Sequence, residues 1–239
     1  MIVGISTVLD ERGIIGHTTR HLLASGVDLI IVSDGGSTDG TRQLLGHIPN
    51  VIVVSQDGPL YQDSEMTRLA ELAATFGATW IVPFDADEYW CGTNGRTVGE
   101  TIALIEGQFD LIAPVGRIIA PVYHHLNLDT RLPDPKLPKM AFRWTPGAHI
   151  EWGNHNVHGI PGNICDGLQV REIQYRSYDH FIAKIERARI WQELTPDCPV
   201  SYGSHMRRLV AMTDDERKAE WVRLSNQMFV YDPIPIRSM

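Results

Sequence analysis

Residues 85–88, Asp-Ala-Asp-Glu, set three carboxylates within four positions. Charges this close repel unless a cation lies between them, and hard divalent cations such as Mg²⁺ or Mn²⁺ prefer oxygen ligands of this kind. If the backbone stays extended, Asp85 and Asp87 point to the same side, because side chains alternate along a strand. A magnesium-type site takes one or two protein carboxylates and leaves the rest to water and substrate phosphates. The plain alternative is a solvated acidic turn closing a strand, since short motifs also match by accident. A second polar run, Asp34-Gly-Gly-Ser-Thr-Asp-Gly-Thr41, is a glycine-rich turn with a Ser or Thr N-cap and an acid in the first helical turn.

The elements around these runs decide whether they can meet. Residues 2–8 read as a short buried strand. From Asp10 to Ser25, Ile14, Ile15, Leu22 and Leu23, bridged by Thr18, recur at helical spacing, and Gly26 closes the helix. Asp28–Ser33 is a second strand, Gln43–His47 a short helix, Val51–Ser55 a third strand and Ser64–Phe76 an amphipathic helix ended by Gly77. The apolar run Thr79–Phe84 is the fourth strand and delivers the acids. Strands and helices alternating in this way predict βαβ units and a parallel sheet with helices on both faces. Ligands of such sheets bind beyond the carboxyl ends of the strands. Both acid-bearing turns are expected there.

Beyond residue 96 the pattern loosens. A helix is expected over Thr97–Glu106 and one or two strands over Phe109–Val122, followed by a long loop, His124–Pro138. Further strands are expected over Lys139–Arg143, Ala148–Trp152 and Leu168–Tyr175. A helix starts after Ser177 as N-cap, with Asp179 in its first turn. Thr213–Met228 opens on a capping-box pattern, and a proline-rich tail follows from Tyr231.

The chain has 239 residues, 43% of them hydrophobic, enough for a full core. A net charge of -8 argues against a protein held to nucleic acid by its overall field. Three cysteines without CxxC spacing suggest free thiols in a reducing compartment. No basic n-region with a following apolar stretch marks a signal peptide. No run approaches the roughly 18 apolar residues that span a bilayer. A cytoplasmic protein with no transmembrane segment is the expectation.

The strand, the glycine-serine-threonine-aspartate turn, the next strands and Asp85-Ala-Asp87-Glu88, in this order, resemble family 2 glycosyltransferases of the GT-A fold, in particular small bacterial and phage-type members. Asp10-Glu11, Gln62, Lys139-Met-Ala-Phe-Arg143, Gly153-Asn154-His155 and Tyr175-Arg176-Ser177-Tyr-Asp-His-Phe-Ile-Ala-Lys184 fit as well. The likeness spans residues 2–190, which implies a catalytic domain over 1–190 and a C-terminal helical extension and tail, 191–239, packed on it. It implies a Rossmann-like mixed sheet flanked by helices, a nucleotide-sugar donor with UDP favoured, and Mn²⁺ or Mg²⁺. Thr7 and Asp34 would lie by the nucleobase, Asp85 by the ribose or the metal's water shell, with Gln62 and Ala86 also on the donor side. Asp87 would ligate the metal, with His155 as a further ligand and His158 behind it. Gln174 stands where the subgroup often has a histidine, which shifts weight to His155. Arg176 and Lys184 could neutralise the diphosphate. Most members invert, so a carboxylate would deprotonate the acceptor hydroxyl. Asp179 is the candidate, Glu151 its competitor.

Each of these residues also has a plainer role open to it: a core or surface imidazole for the histidines, surface charge for Lys184, a helix-dipole partner for Asp179. Two other functions compete. A nucleotidyltransferase on the same sheet would carry a basic glycine-rich loop after strand one, where this chain has Leu9-Asp10-Glu11-Arg12-Gly13. A non-catalytic nucleotide-sugar-binding module would keep the fold without the reaction. The acceptor (glycan, protein, lipid or modified nucleic acid) is not legible, nor is the oligomeric state.

Overall fold

Apolar residues alternate along the early strands, and both halves of the alternation are buried. The computed structural model describes residues 1–56, 61–105, 107–109, 111–112, 117–120, 139–160, 162–165 and 167–226. The first half contains β1 (Ile2–Val8), α1 (Ile15–Ala24), β2 (Leu29–Asp34), α2 (Thr41–Gly46), β3 (Val51–Ser55), α3 (Gln62–Thr75), β4 (Trp80–Pro83), β5 (Glu88–Gly92) and α4 (Val98–Ile105). Next come β6 (Leu111–Ile112), β7 (Arg117–Ala120), β8 (Ala141–Arg143), β9 (His149–Ile150), β10 (Val157–His158), β11 (Ile164–Cys165) and β12 (Leu168–Ile173). Three helices finish the described chain: α5 (Tyr178–Leu194), α6 (Ser204–Val210) and α7 (Asp214–Ser225).

Val3, Ile5, Ile31 and Ile81 send their side chains to one face of the sheet, where Met66, Leu69, Ala70 and Ala73 of α3 cover them. Ile30, Val32, Trp80 and Val82 go to the other face, against Ile15, Leu22 and Leu23 of α1. Each such side chain, fully buried, contributes about 1.5–3 kcal/mol. The main sheet has seven strands in the order β11-β6-β8-β4-β1-β2-β3. Neighbours from β4 to β3 run parallel, whereas β8 is antiparallel to both β4 and β6. The parallel part is what the element order predicts, and the mixed α/β sheet flanked by helices is what the family resemblance implies.

β1 lies between β2 and β4, with Val8 opposite Asp34 and Ile5 opposite Pro83. The ends of all three strands therefore form one rim, and both acid-bearing turns leave from it. A second sheet, β5-β12-β7, packs on the α1 side through Tyr89, Trp90, Leu168 and Val170.

Several expectations need revision. The first helix begins only at Ile15, because residues 10–14 form a loop in which Asp10 has φ 53°. The run through Asp85–Glu88 is not extended: the Glu88 N–H donates to the Asp85 carbonyl at 3.0 Å, and the Asp85 N–H donates to Glu88 Oε2 at 3.0 Å. A turn thus separates β4 from a new strand, β5, and breaks the alternation that would have put Asp85 and Asp87 on one side. α6 had no expected counterpart. α5 keeps Ser177 as its N-cap, accepting from the His180 N–H, and runs on through residue 190. Thr213 and Glu216 form the capping box of α7. The loop 124–138, the cluster Tyr123-His124-His125 and the tail from Tyr231 lie outside the described residues.

Candidate functional site

The acidic turn is fixed from three directions. From below, Thr18 on α1 donates its hydroxyl to the Ala86 carbonyl at 2.7 Å. From the β8 side comes Lys139, only 2% exposed, whose ammonium meets Asp85 Oδ2 at 2.7 Å, the Gly153 carbonyl at 2.9 Å and Glu88 Oε1 at 3.0 Å. From α5 comes Lys184, whose ammonium meets Asp87 Oδ2 at 2.7 Å and the Gln174 carbonyl at 3.1 Å, 5.8 Å from the Tyr175 ring centre. Burial works against the Lys184 charge, but Asp87 and Glu11 outweigh it and raise its pKa above the ordinary lysine value.

Asp85 is a hub. Its Oδ1 accepts from Asn154 Nδ2 at 3.2 Å and from Gln62 Nε2 at 3.4 Å, while Gln62 Oε1 accepts the Gly153 N–H at 3.2 Å. Gly153 turns with φ 76°, and a Cβ there would stand 2.6 Å from Cδ2 and 2.7 Å from Nε2 of His155. The His155 ring is therefore folded back on the glycine whose carbonyl and N–H hold Lys139 and Gln62. Only the backbone can make that approach.

Beside this hub lies a third anchor, Glu11. It is buried, accepts from Arg176 at 2.8 Å and Arg187 at 3.0 Å, and has His180 Nε2 at 3.7 Å. Burial alone would raise its carboxyl; His180, Lys184 and Arg176 overturn that and hold it down to about 2. His180, Lys184 and Arg187 follow one another at helical spacing on α5, and Arg176, just before the N-cap Ser177, joins them, so this end of the helix lays a basic stripe across the rim. Asp10, next to Glu11, accepts the N–H groups of Thr38 and Asp39 at 2.7 and 3.2 Å. The Glu11 N–H donates to Thr41 Oγ1 at 2.9 Å. The loop after β1 thereby pins the glycine-rich turn after β2. Asp34, 4% exposed, sits inside that turn, accepting the Ser37 N–H at 3.3 Å with Arg42 at 3.7 Å.

The structure thus brings Asp34, Gln62, Asp85, Ala86, Asp87, Arg176 and Lys184 to one rim, with Thr7 opposite Ser33 near the end of β1. His155 adjoins the Asp85 hub. Asp179 is not part of it: this residue is exposed in the first turn of α5, in a surface groove with Tyr178, Ile182, Ala183, Glu186, Asp214 and Lys218. Its neighbour His180 takes the inward face, one residue or about 100° round the helix. Glu151 and His158, the competing base and ligand, are in contact with each other at the surface. Glu151 leads into the turn Trp152–Asn154, and its carbonyl accepts the Asn154 N–H at 3.0 Å. Sequence reasoning gave no role to Glu11, Lys139, Asn154, His180 or Arg187. The helical spacing of the last two with Arg176 and Lys184 was the available signal; nothing local announces that Lys139 meets Asp85, 54 residues away.

Among the described residues, no three His, Cys, Asp or Glu side chains stand together as a metal-binding group, so a cation here would rest on one or two carboxylates. Both oxygens of Asp85 already accept from protein donors, and Asp87 already carries a lysine. A dication on Asp87 would stand against Lys184, and like charges at such short range repel by several kcal/mol even at an effective dielectric of about 20. As arranged, these residues do not fit Mn²⁺ or Mg²⁺ shared between the two aspartates.

No family model and no curated protein matches the chain. Solved structures resemble it in fold only. Staphylococcus aureus TarS 1–349 in complex with UDP-GlcNAc superposes with a TM-score of 0.49 at 12% identity, covering 94% of this chain and 71% of that one. Against the longer S. aureus TarS chain the values are 0.47 and 13%, with 78% of this chain covered and only 39% of that one. A nucleotidyl transferase from Methanothermobacter gives 0.33 and 17%, covering 59% and 70%. Likeness at this level carries no reaction with it.

Proposed function

We propose that this chain is a glycosyltransferase that moves a sugar from a nucleotide-diphosphate donor, UDP favoured, to an acceptor hydroxyl. The observation that supports this best is the shared rim. A carboxylate at the end of β2 and two after β4 flank the end of β1, and a basic stripe from α5 crosses between them. A nucleotide sugar needs both parts. Its base offers ring N–H groups to a buried acceptor such as Asp34, and its leaving diphosphate develops negative charge that cationic donors must meet. Thr7 and Asp34 would bind the base, Asp85 and Gln62 the ribose side, Arg176 and Lys184 the diphosphate.

In the inverting form, the acceptor oxygen attacks the anomeric carbon as the bond to the nucleoside diphosphate breaks, and a carboxylate takes the acceptor's proton. Glu151 is the better base, because it opens the turn that reaches Asp85, whereas Asp179 faces α7. The nucleotidyltransferase reading asks for cationic backbone-rich contacts after β1; that loop instead spends Asp10 and Glu11 on holding other parts of the protein.

A thermal-shift panel of UDP-, GDP-, TDP- and CMP-sugars, with UDP-GlcNAc first, tests the proposal. One nucleotide sugar should raise the melting temperature and be hydrolysed slowly to free sugar, with Asp85→Ala losing both effects. A panel without any shift, or release of pyrophosphate from a nucleoside triphosphate plus a sugar phosphate, would overturn it.

A further inference from the structure

We infer that the ammonium group of Lys184 takes the place of a divalent cation at Asp87, so that this chain binds its nucleoside diphosphate without a metal. The inference rests on the nucleotide-sugar reading above and deepens it. Three acids in four positions call for positive charge, and here the protein supplies it covalently. Four carboxylates (Glu11, Asp85, Asp87 and Glu88) face four side-chain cations (Lys139, Arg176, Lys184 and Arg187) at 2.7–3.0 Å. A compensated cluster of this kind offers a dication little attraction, whereas an uncompensated one would draw it strongly.

The two lysines divide the work. An ammonium has three donors. Lys139 donates to Asp85 and the Gly153 carbonyl, is ion-paired with Glu88 at 3.0 Å, and its side chain is sealed from solvent. That lysine is structural. Lys184 meets two acceptors, Asp87 and the Gln174 carbonyl, and its side chain is 22% exposed. Its third donor is the one we assign to a phosphate oxygen. Asp87 then does not ligate a metal; it is the counter-ion of Lys184 while no diphosphate is bound. Arg176, just before the N-cap of α5 and held by Glu11, supplies the second cation. Charge-assisted hydrogen bonds of this type are among the strong ones, so the leaving group can be gripped by side chains alone.

Isothermal titration calorimetry with UDP, GDP, TDP and CDP tests this, in excess EDTA and again in excess Mn²⁺. The expected result is one nucleoside diphosphate bound in EDTA with an affinity that Mn²⁺ changes by less than about threefold, under half a step on the tenfold scale. Lys184→Met should weaken it by about 10- to 100-fold in both conditions. Because that variant leaves Asp87 buried beside an apolar side chain, the double variant Lys184→Met with Asp87→Asn, which buries no unpaired charge, should show the same loss with an intact thermal melt. Asp87→Asn alone separates the two chemistries: it frees Lys184 for the phosphate and should keep or tighten binding, whereas a metal ligand so changed would lose it. Binding that appears only with Mn²⁺ and disappears in Asp87→Asn would overturn the inference and leave the transferase reading standing. If no diphosphate binds in either condition, both fall.

Discussion

A single carboxylate, Glu11, ties the loop after β1 to the basic stripe of α5. Its depressed pKa makes this tie sensitive to acid in a definite direction. The folded value is about 2 against an ordinary 4.5, so the stabilisation is fully present above about 4.5 and is lost as pH falls toward about 2. A shift of that size corresponds to roughly 3 kcal/mol. Urea titrations through this window should show the wild type losing about that much stability from this group, with the loss blunted in Glu11→Gln. At neutral pH the variant should itself be weaker by about 3–5 kcal/mol, the cost of leaving Arg176 and Arg187 without their carboxylate. A neutral-pH difference below about 1 kcal/mol, typical of an exposed ion pair, would show that the cluster is not acting as a buried one.

Among the elements, α1 and α5 do for the acidic turn what neither β4 nor β5 can do alone. β4 ends at Pro83 and leaves the next four residues to a turn whose carbonyls need donors. Thr18 meets one of them from α1. It bridges the apolar stripe of α1, and it is fully buried and bonded to Ala86. Thr18→Val keeps the shape and removes the donor, so it should cost about 1–2 kcal/mol in chemical denaturation. It should also speed amide exchange at Glu88, whose N–H closes the turn. Unchanged exchange there would mean that the turn is held from α5 and β8 alone.

At the scale of the whole molecule, the site depends on how the second sheet is set against the first. β5 carries the chain straight from the acidic turn into that sheet, and Gly92 ends it where the chain bends toward α4. A Cβ at Gly92 would lie 2.3 Å from Thr101 Oγ1 and 2.8 Å from both the Cβ and the carbonyl oxygen of Arg96. Its backbone angles are ordinary extended values, so the demand is for space, not for a left-handed turn. Gly92→Ala should therefore destabilise the protein by about 1–3 kcal/mol through overpacking. A thermal melt would reveal it, and a neutral or stabilising result would show that α4 can move away freely.

The sequence alone was sufficient for the parallel core, because burial on both sheet faces leaves a periodic record in β1, β2, β4 and α3 that local patterns can carry. It also sufficed for bringing Asp34 and the Asp85–Glu88 run to one rim, since parallel strands linked by helices all end on the same side. What it could not supply was the charge balance. Lys139 and Lys184 reach Asp85 and Asp87 from 54 and 97 residues away, and Glu11 gathers arginines at separations of 165 and 176. No local spacing encodes such meetings. Only the packed chain decides which cation faces which carboxylate, because that choice is made by the crossing of α5 and β8 over the rim and by the turn that parts the two aspartates.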